Sequence, residues 1–132
     1  MAVANLNNEP VQYDDGKDSI VIVDNFQSIR GGRTLDVTGF TPELIKSGHV
    51  IIVQTSNQQY KPMPVNGGAT AYATLPTGHT YAGVLINTIR TSKPFAGIMV
   101  RGTINPVAAP YDFATIAAAV KTALPLIDQR AD

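Results

Sequence analysis

Two histidines are the first residues whose types could do chemistry. His49 opens an apolar run and His79 stands in a turn beside Gly78. A zinc site needs three or four ligands at recognisable spacing, and no third ligand stands near either one. Both therefore read as structural. Asp14, Asp15 and Asp18 alternate faintly like a calcium loop, but the twelfth position, which must be glutamate, is Asn25. The serines at positions 19, 28, 47, 56 and 92 lie outside any nucleophile-elbow sequence. Gly31-Gly32 offers successive amides to an anion, yet lacks the lysine and helix of a phosphate loop, so it reads as a tight turn or bulge. The remaining carboxylates sit in turns or at element starts, where solvation and capping account for them. Arg101 differs, because it falls inside an apolar strand on the face of Met99 and Thr103. It is either solvent-exposed or one half of an ion pair between subunits, with Asp36 or Asp112 as partner. The residues call for no cofactor and no metal.

Composition narrows the classes further. With 132 residues and 44% apolar content the chain suits one globular domain. Ten basic and ten acidic residues cancel, which gives no electrostatic reason to bind nucleic acid or an anionic membrane. No apolar run approaches the roughly 18 residues that span a bilayer. The N-terminus lacks the basic and apolar regions of a secretory signal. Cysteine is absent, so disulfide and thiolate chemistry are excluded. Charged residues amount to only 15%, which favours a surface partly covered by a partner.

The elements that must position any site read as mainly β. Residues 1–18 are polar and aperiodic, and form either an extended arm or a frayed terminus. Ile20, Val21, Ile22 and Val23 make an unbroken β-branched run, apolar on both faces. It is either the central strand of a sandwich or a strand packed against another subunit. Thr41 to Gly48 carries helix punctuation, namely a cap, Pro42 at the first position, Glu43 early and Lys46 late, so a short helix is expected over 42–47. His49–Gln54 is again apolar on both faces near its centre. Pro62 and Pro64 exclude Gln58–Val65 from any central strand. Tyr81–Asn105 reads as an antiparallel hairpin turning at Ser92-Lys93-Pro94. Ile98, Val100 and Ile104 are placed on its core face, and its second strand is expected to be buried on one side only. Asp112 caps a helix expected over 112–124, with Phe113, Ile116, Val120, Leu124 and Ile127 as its apolar stripe and Pro125 as its stop. The fold class is thus mainly β with short helices: a small barrel- or sandwich-like domain over 19–132, with an N-terminal arm and a C-terminal helix.

Taken together, the segments resemble the small decoration, or auxiliary head, proteins of tailed bacteriophages. The resemblance spans Leu35–Ile127. It is carried by Gly48-His49-Val50-Ile51, Tyr60-Lys61-Pro62, Gly83-Val84-Leu85 and Val100-Arg101-Gly102-Thr103-Ile104-Asn105. It implies a non-enzymatic, commonly trimeric β-rich protein on the outer surface of an icosahedral shell, cementing neighbouring capsomers of the major capsid protein. Carried onto this chain, it makes Val3, Leu6, Val11 and Tyr13 part of a capsid-binding arm. It also makes Ile20, Val21, Ile22, Val23 and Arg101 candidates for the subunit interface. The alternatives are the base of a head fibre or a carbohydrate-binding module of the virion, with Tyr60, Tyr72 and Tyr81 as stacking platform, and a small enzyme whose carboxylates are assembled by the fold.

Overall fold

A computed structural model of the protein describes residues 14–131. Two α-helical segments, α1 (Asp18–Val21) and α2 (Ala117–Ala123), accompany ten strands. The strands are β1 (Ile22–Ser28), β2 (Arg33–Thr34), β3 (Leu44–Ile45), β4 (Val50–Gln54), β5 (Tyr60–Pro62), β6 (His79–Leu85), β7 (Ile89–Arg90), β8 (Phe95–Ala96), β9 (Ile98–Ile104) and β10 (Ile127–Gln129). The protein is mainly β, as its residue patterns predict.

Six strands form one open sheet in the order β1-β9-β6-β4-β5, with β10 added to β9. It does not close into a barrel. Among the described residues two ribbons of two strands each, β2-β8 and β3-β7, accompany the sheet. The sheet has a core on each face, which makes the arrangement sandwich-like. On one side Val50, Ile52, Val84, Met99 and Ile104 join Met63, Tyr72, Phe113, Ile116, Val120 and Ile127. On the other, Ile51, Leu85 and Ile98 meet Leu35, Ile45 and Ala96 from the ribbons and their flanks. Pro62 ends β5 at the sheet's edge, where a missing amide hydrogen does no harm.

Five local expectations are corrected. First, 42–47 is no helix: Leu44 and Ile45 pair with Arg90 and Ile89. Ile45 is fully buried, and that burial outweighs the helix punctuation around it. Second, Ile20 and Val21 belong to the helical turn α1, and only Ile22 and Val23 enter a strand. The turn is held from afar, since the Asp18 carboxylate accepts bonds from the Thr88 amide (2.8 Å) and hydroxyl (2.6 Å). Third, this tie and a bond from Lys46 Nζ to the Asp14 carbonyl draw residues 14–18 into the domain, so an arm reaching to 18 is too long.

Fourth, the expected hairpin is only partly formed. β6 and β9 do pair antiparallel, through Val84 with Met99 and Leu85 with Ile98. The stretch between them leaves to build β7 and β8 in the two ribbons. Nor does β9 have one buried face. Ile98 lies in one core, while Met99 and Ile104 share the other. An odd and an even position share a core because β9 is bulged at Val100, the extra residue between Arg101 opposite Gln27 and Met99 opposite Ser28. Gly102 permits this close passage, since a Cβ there would overlap the Asp24 carbonyl and the Met99 sulfur. Fifth, the last helix covers only Ala117–Ala123, because Asp112 instead caps a preceding turn by accepting the Ala114 amide at 2.8 Å. Pro125 follows the helix end, and Ile127 lies in β10, paired parallel with Gly102 on β9.

Candidate interaction surface

The strand that lacks cover is β1. Among the described residues it pairs on one side only, with β9, and every residue from Val23 to Ser28 is exposed. A strand buried on neither face gains little from its own domain. Yet Val23 is 41% and Phe26 68% exposed, and Ile20 beside them is 52% exposed. Single exposed apolar side chains are ordinary and a contiguous patch is what marks a contact surface; Ile20, Val23 and Phe26, within seven residues of sequence, are the candidates for one here. The backbone edge itself is poorly suited to pairing. Three irregularities interrupt the β1-β9 register, and Asp24 projects from the strand; both devices blunt an edge. The side chains, rather than the free amides, are therefore the candidate contact elements.

The predicted interface residues separate on this surface. Ile20 and Val23 are exposed and available. Ile22 is half-buried and packs against the core beside its cross-strand partner Ile104. Val21 is 1% exposed, so it is a core residue and is corrected as a contact. It sits tight against Gly48, whose φ of 88° and lack of a side chain allow the approach. Arg101 is exposed, with Gln27 opposite it on β1. Its suggested partners are engaged locally. Asp36 accepts the Thr38 hydroxyl (2.7 Å) and amide (3.1 Å), and these bonds hold its carboxyl below the usual carboxylate range. Asp112 serves the Ala114 amide. Among the described residues the ion pair found is Arg130–Asp128, at 3.8 Å on the surface. Val3, Leu6, Val11 and Tyr13 lie outside the described residues.

Residue patterns missed Phe26. Its signal was a lone aromatic among Asp24, Asn25, Gln27 and Ser28, since polar neighbours on both faces leave nothing to bury it. Phe95 (68%), Val107 (79%) and Leu126 (62%) are also exposed. Of the three tyrosines considered for stacking, Tyr60 and Tyr81 stay half-buried. Tyr72 is in the core, its phenol oxygen accepting the Val50 amide at 3.1 Å, and burial pushes its pKa up. The expected platform of three therefore loses its middle member. Arg33 instead stacks over Tyr60, 5.5 Å from the ring centre.

A cleft of about 230 Å³ does gather ionisable groups, namely Asp14, Lys17, Asp18 and Lys46, with Ser47. Their bonding is structural. Asp18 holds Thr88, Ser47 Oγ donates to the Ile86 carbonyl at 2.6 Å, and Lys46 reaches Asp14. Among the described residues no three histidine, aspartate or glutamate side chains converge as a metal site would need. No helix among them is long and apolar enough to cross a membrane. Comparison of the chain with family models, with curated proteins and with solved structures finds no match.

Proposed function

We propose that the chain is a non-enzymatic structural protein of a phage virion, binding the outside of an icosahedral capsid and cementing neighbouring subunits of the major capsid protein as a homotrimer. The observation that carries this reading is the uncovered β1 edge. Ile20, Val23 and Phe26 face solvent in one protomer and suit burial against a protein partner. The resemblance of Leu35–Ile127 to decoration proteins supplies the kind of partner. A shell repeats its surface many times, so modest contacts gain strength when one oligomer engages several sites.

The experiment is co-sedimentation of the purified protein with mature shells that lack it. Binding that saturates at a fixed ratio to the shell subunit is expected. Failure to co-sediment at saturating protein rejects the reading. Light scattering on the free protein tests the trimer separately, and a monomer at micromolar concentration overturns that part. The head-fibre or carbohydrate-binding alternative keeps only the half-buried Tyr60 and Tyr81, and Arg33 already lies over one face of Tyr60. A glycan array on which the protein is silent removes its sugar-binding form.

A further inference from the structure

We infer that His49 is the pin of an acid-sensitive latch: neutral, it holds the segments carrying Phe40, Tyr72 and Tyr111 against the head of β4, and on protonation it releases them. The inference stands apart from the capsid reading. It rests on a buried side chain that the proposed function does not use.

The imidazole is 1% exposed. Its Nε2 lies 2.9 Å from the Met63 carbonyl oxygen. A carbonyl can only accept, so Nε2 carries the hydrogen and Nδ1 presents a lone pair. That Nδ1 is buried without a hydrogen-bond partner. Three aromatic rings enclose it, each close to perpendicular: Phe40 at 5.4 Å, Tyr72 at 5.2 Å and Tyr111 at 5.5 Å. The rings come from three stretches without helix or strand at those positions, between β2 and β3, β5 and β6, and β9 and α2. Tyr72 and Tyr111 also touch each other, and the Tyr72 phenol is tied to the Val50 amide. One imidazole thus contacts rings from three segments at the head of β4, adding to the Tyr72–Tyr111 contact and the Tyr72–Val50 bond.

Protonation changes both ring nitrogens into donors. Nδ1–H would then point into a cage with no acceptor, and a charge would sit where water is excluded. Two titratable groups contact the imidazole, the Tyr72 and Tyr111 phenols. The elements packed around it carry Asp36 and Glu43 beside Phe40, Lys46 before His49, Lys61 on β5 and Asp112 after Tyr111. Burial lowers the imidazole pKa to about 4, against the Met63 carbonyl, which raises it. The opposing force is cation–π attraction from the three rings, which would keep an imidazolium in place. Release has a surface consequence on two sides. Phe40 lines a cleft of about 260 Å³ with Lys61 and Asn66, and Tyr111 lines a hollow of about 580 Å³ with Val107 and Asp112. Opening the cage reshapes both together.

The test is nitrogen-15 NMR of the full chain from about pH 7.5 to about pH 3.5, reading the histidine rings and amide exchange together. His49 is expected as the Nε2–H tautomer, still neutral when a free histidine has titrated. As it protonates, the amides of Phe40 and Ala73 should lose more than about tenfold protection, after correction for intrinsic exchange, while Ile51 and Ile52 stay protected. Three results would overturn the latch: a His49 midpoint near that of free histidine, protonation with the cage amides still protected, or loss of all protection together. The variant His49→Phe retains a ring and removes the titration. Its cage should stay closed through the same range, and opening at the same pH as the unaltered protein counts against the inference. Should the variant fail to fold, the titration of the unaltered chain decides alone.

Discussion

The chain carries two similar apolar runs, Ile20–Val23 leading from α1 into β1 and Val50–Val53 in β4, and the fold treats them oppositely. In β4, Val50, Ile51 and Ile52 are all fully buried, with alternate side chains committed to the two cores. β4 needs no second subunit, because the ribbons β2-β8 and β3-β7 help to build the core on its other face. The run at Ile20–Val23 breaks into a helical turn and a strand, and its strand ends at the open edge of the sheet. Apolar residues on both faces therefore identify a strand that will be buried twice. They do not say whether the second layer comes from the same chain.

The sharpest way to break this contrast is truncation in β4. Ile51→Ala should cost about 2–5 kcal/mol of stability, measured by urea unfolding, because a cavity opens in a packed core. A loss under about 1 kcal/mol would mean that β4 is less enclosed than described. Acid tests the same region at His49. Its folded-state pKa of about 4 lies below the ordinary 6.5, so the fold resists protonation. The stabilisation is fully present above about pH 6.5 and is lost as pH falls toward about 4. At about 1.4 kcal/mol per unit it amounts to about 3 kcal/mol of cage closure. Cage opening already complete at pH 6 would contradict that sign.

Gly102→Ala attacks the junction of β1 with β9. The added methyl would meet the Asp24 carbonyl, and a cost of about 1–3 kcal/mol is expected in thermal or urea unfolding. Phe26→Ser should change protomer stability by less than about 0.5 kcal/mol, since an exposed side chain contributes little to the fold. The same substitution should weaken shell binding about tenfold or more in sedimentation, as loss of an aromatic contact does at a protein interface. An unchanged binding isotherm would separate β1 from the contact surface.

The legibility of these regions follows from the range of the forces that shape them. β4 was readable because four consecutive apolar residues need burial in any fold. Pro62 and Pro125 were readable because a missing amide hydrogen acts locally. The 42–47 segment misled, since Thr41, Pro42 and Gly48 have helical punctuation while Ile45 responds to a pairing partner 44 residues away in β7. Strands of two residues, such as β2, β3, β7 and β8, are too short to show a period. Without them the second core was invisible, and the layer covering the other face of β4 could not be read. Of the candidate surface, Ile20 and Val23 were found through their β-branched run. Phe26 was missed because exposure depends on what fails to cover a residue, and no local pattern records that.

The pairing of β9 with β1, β6 and β10 has a consequence for how the chain is made. β1 ends at Ser28, yet its partner is complete only at Ile104, and β10 follows later still. During synthesis at about 5–20 residues per second, the edge strand waits several seconds for the strand that receives it. Until then its backbone groups that will pair with β9, and Ile22 that will pack on the core, are uncovered. The order of translation makes the sheet a late event, closed only when β9 and β10 have been made.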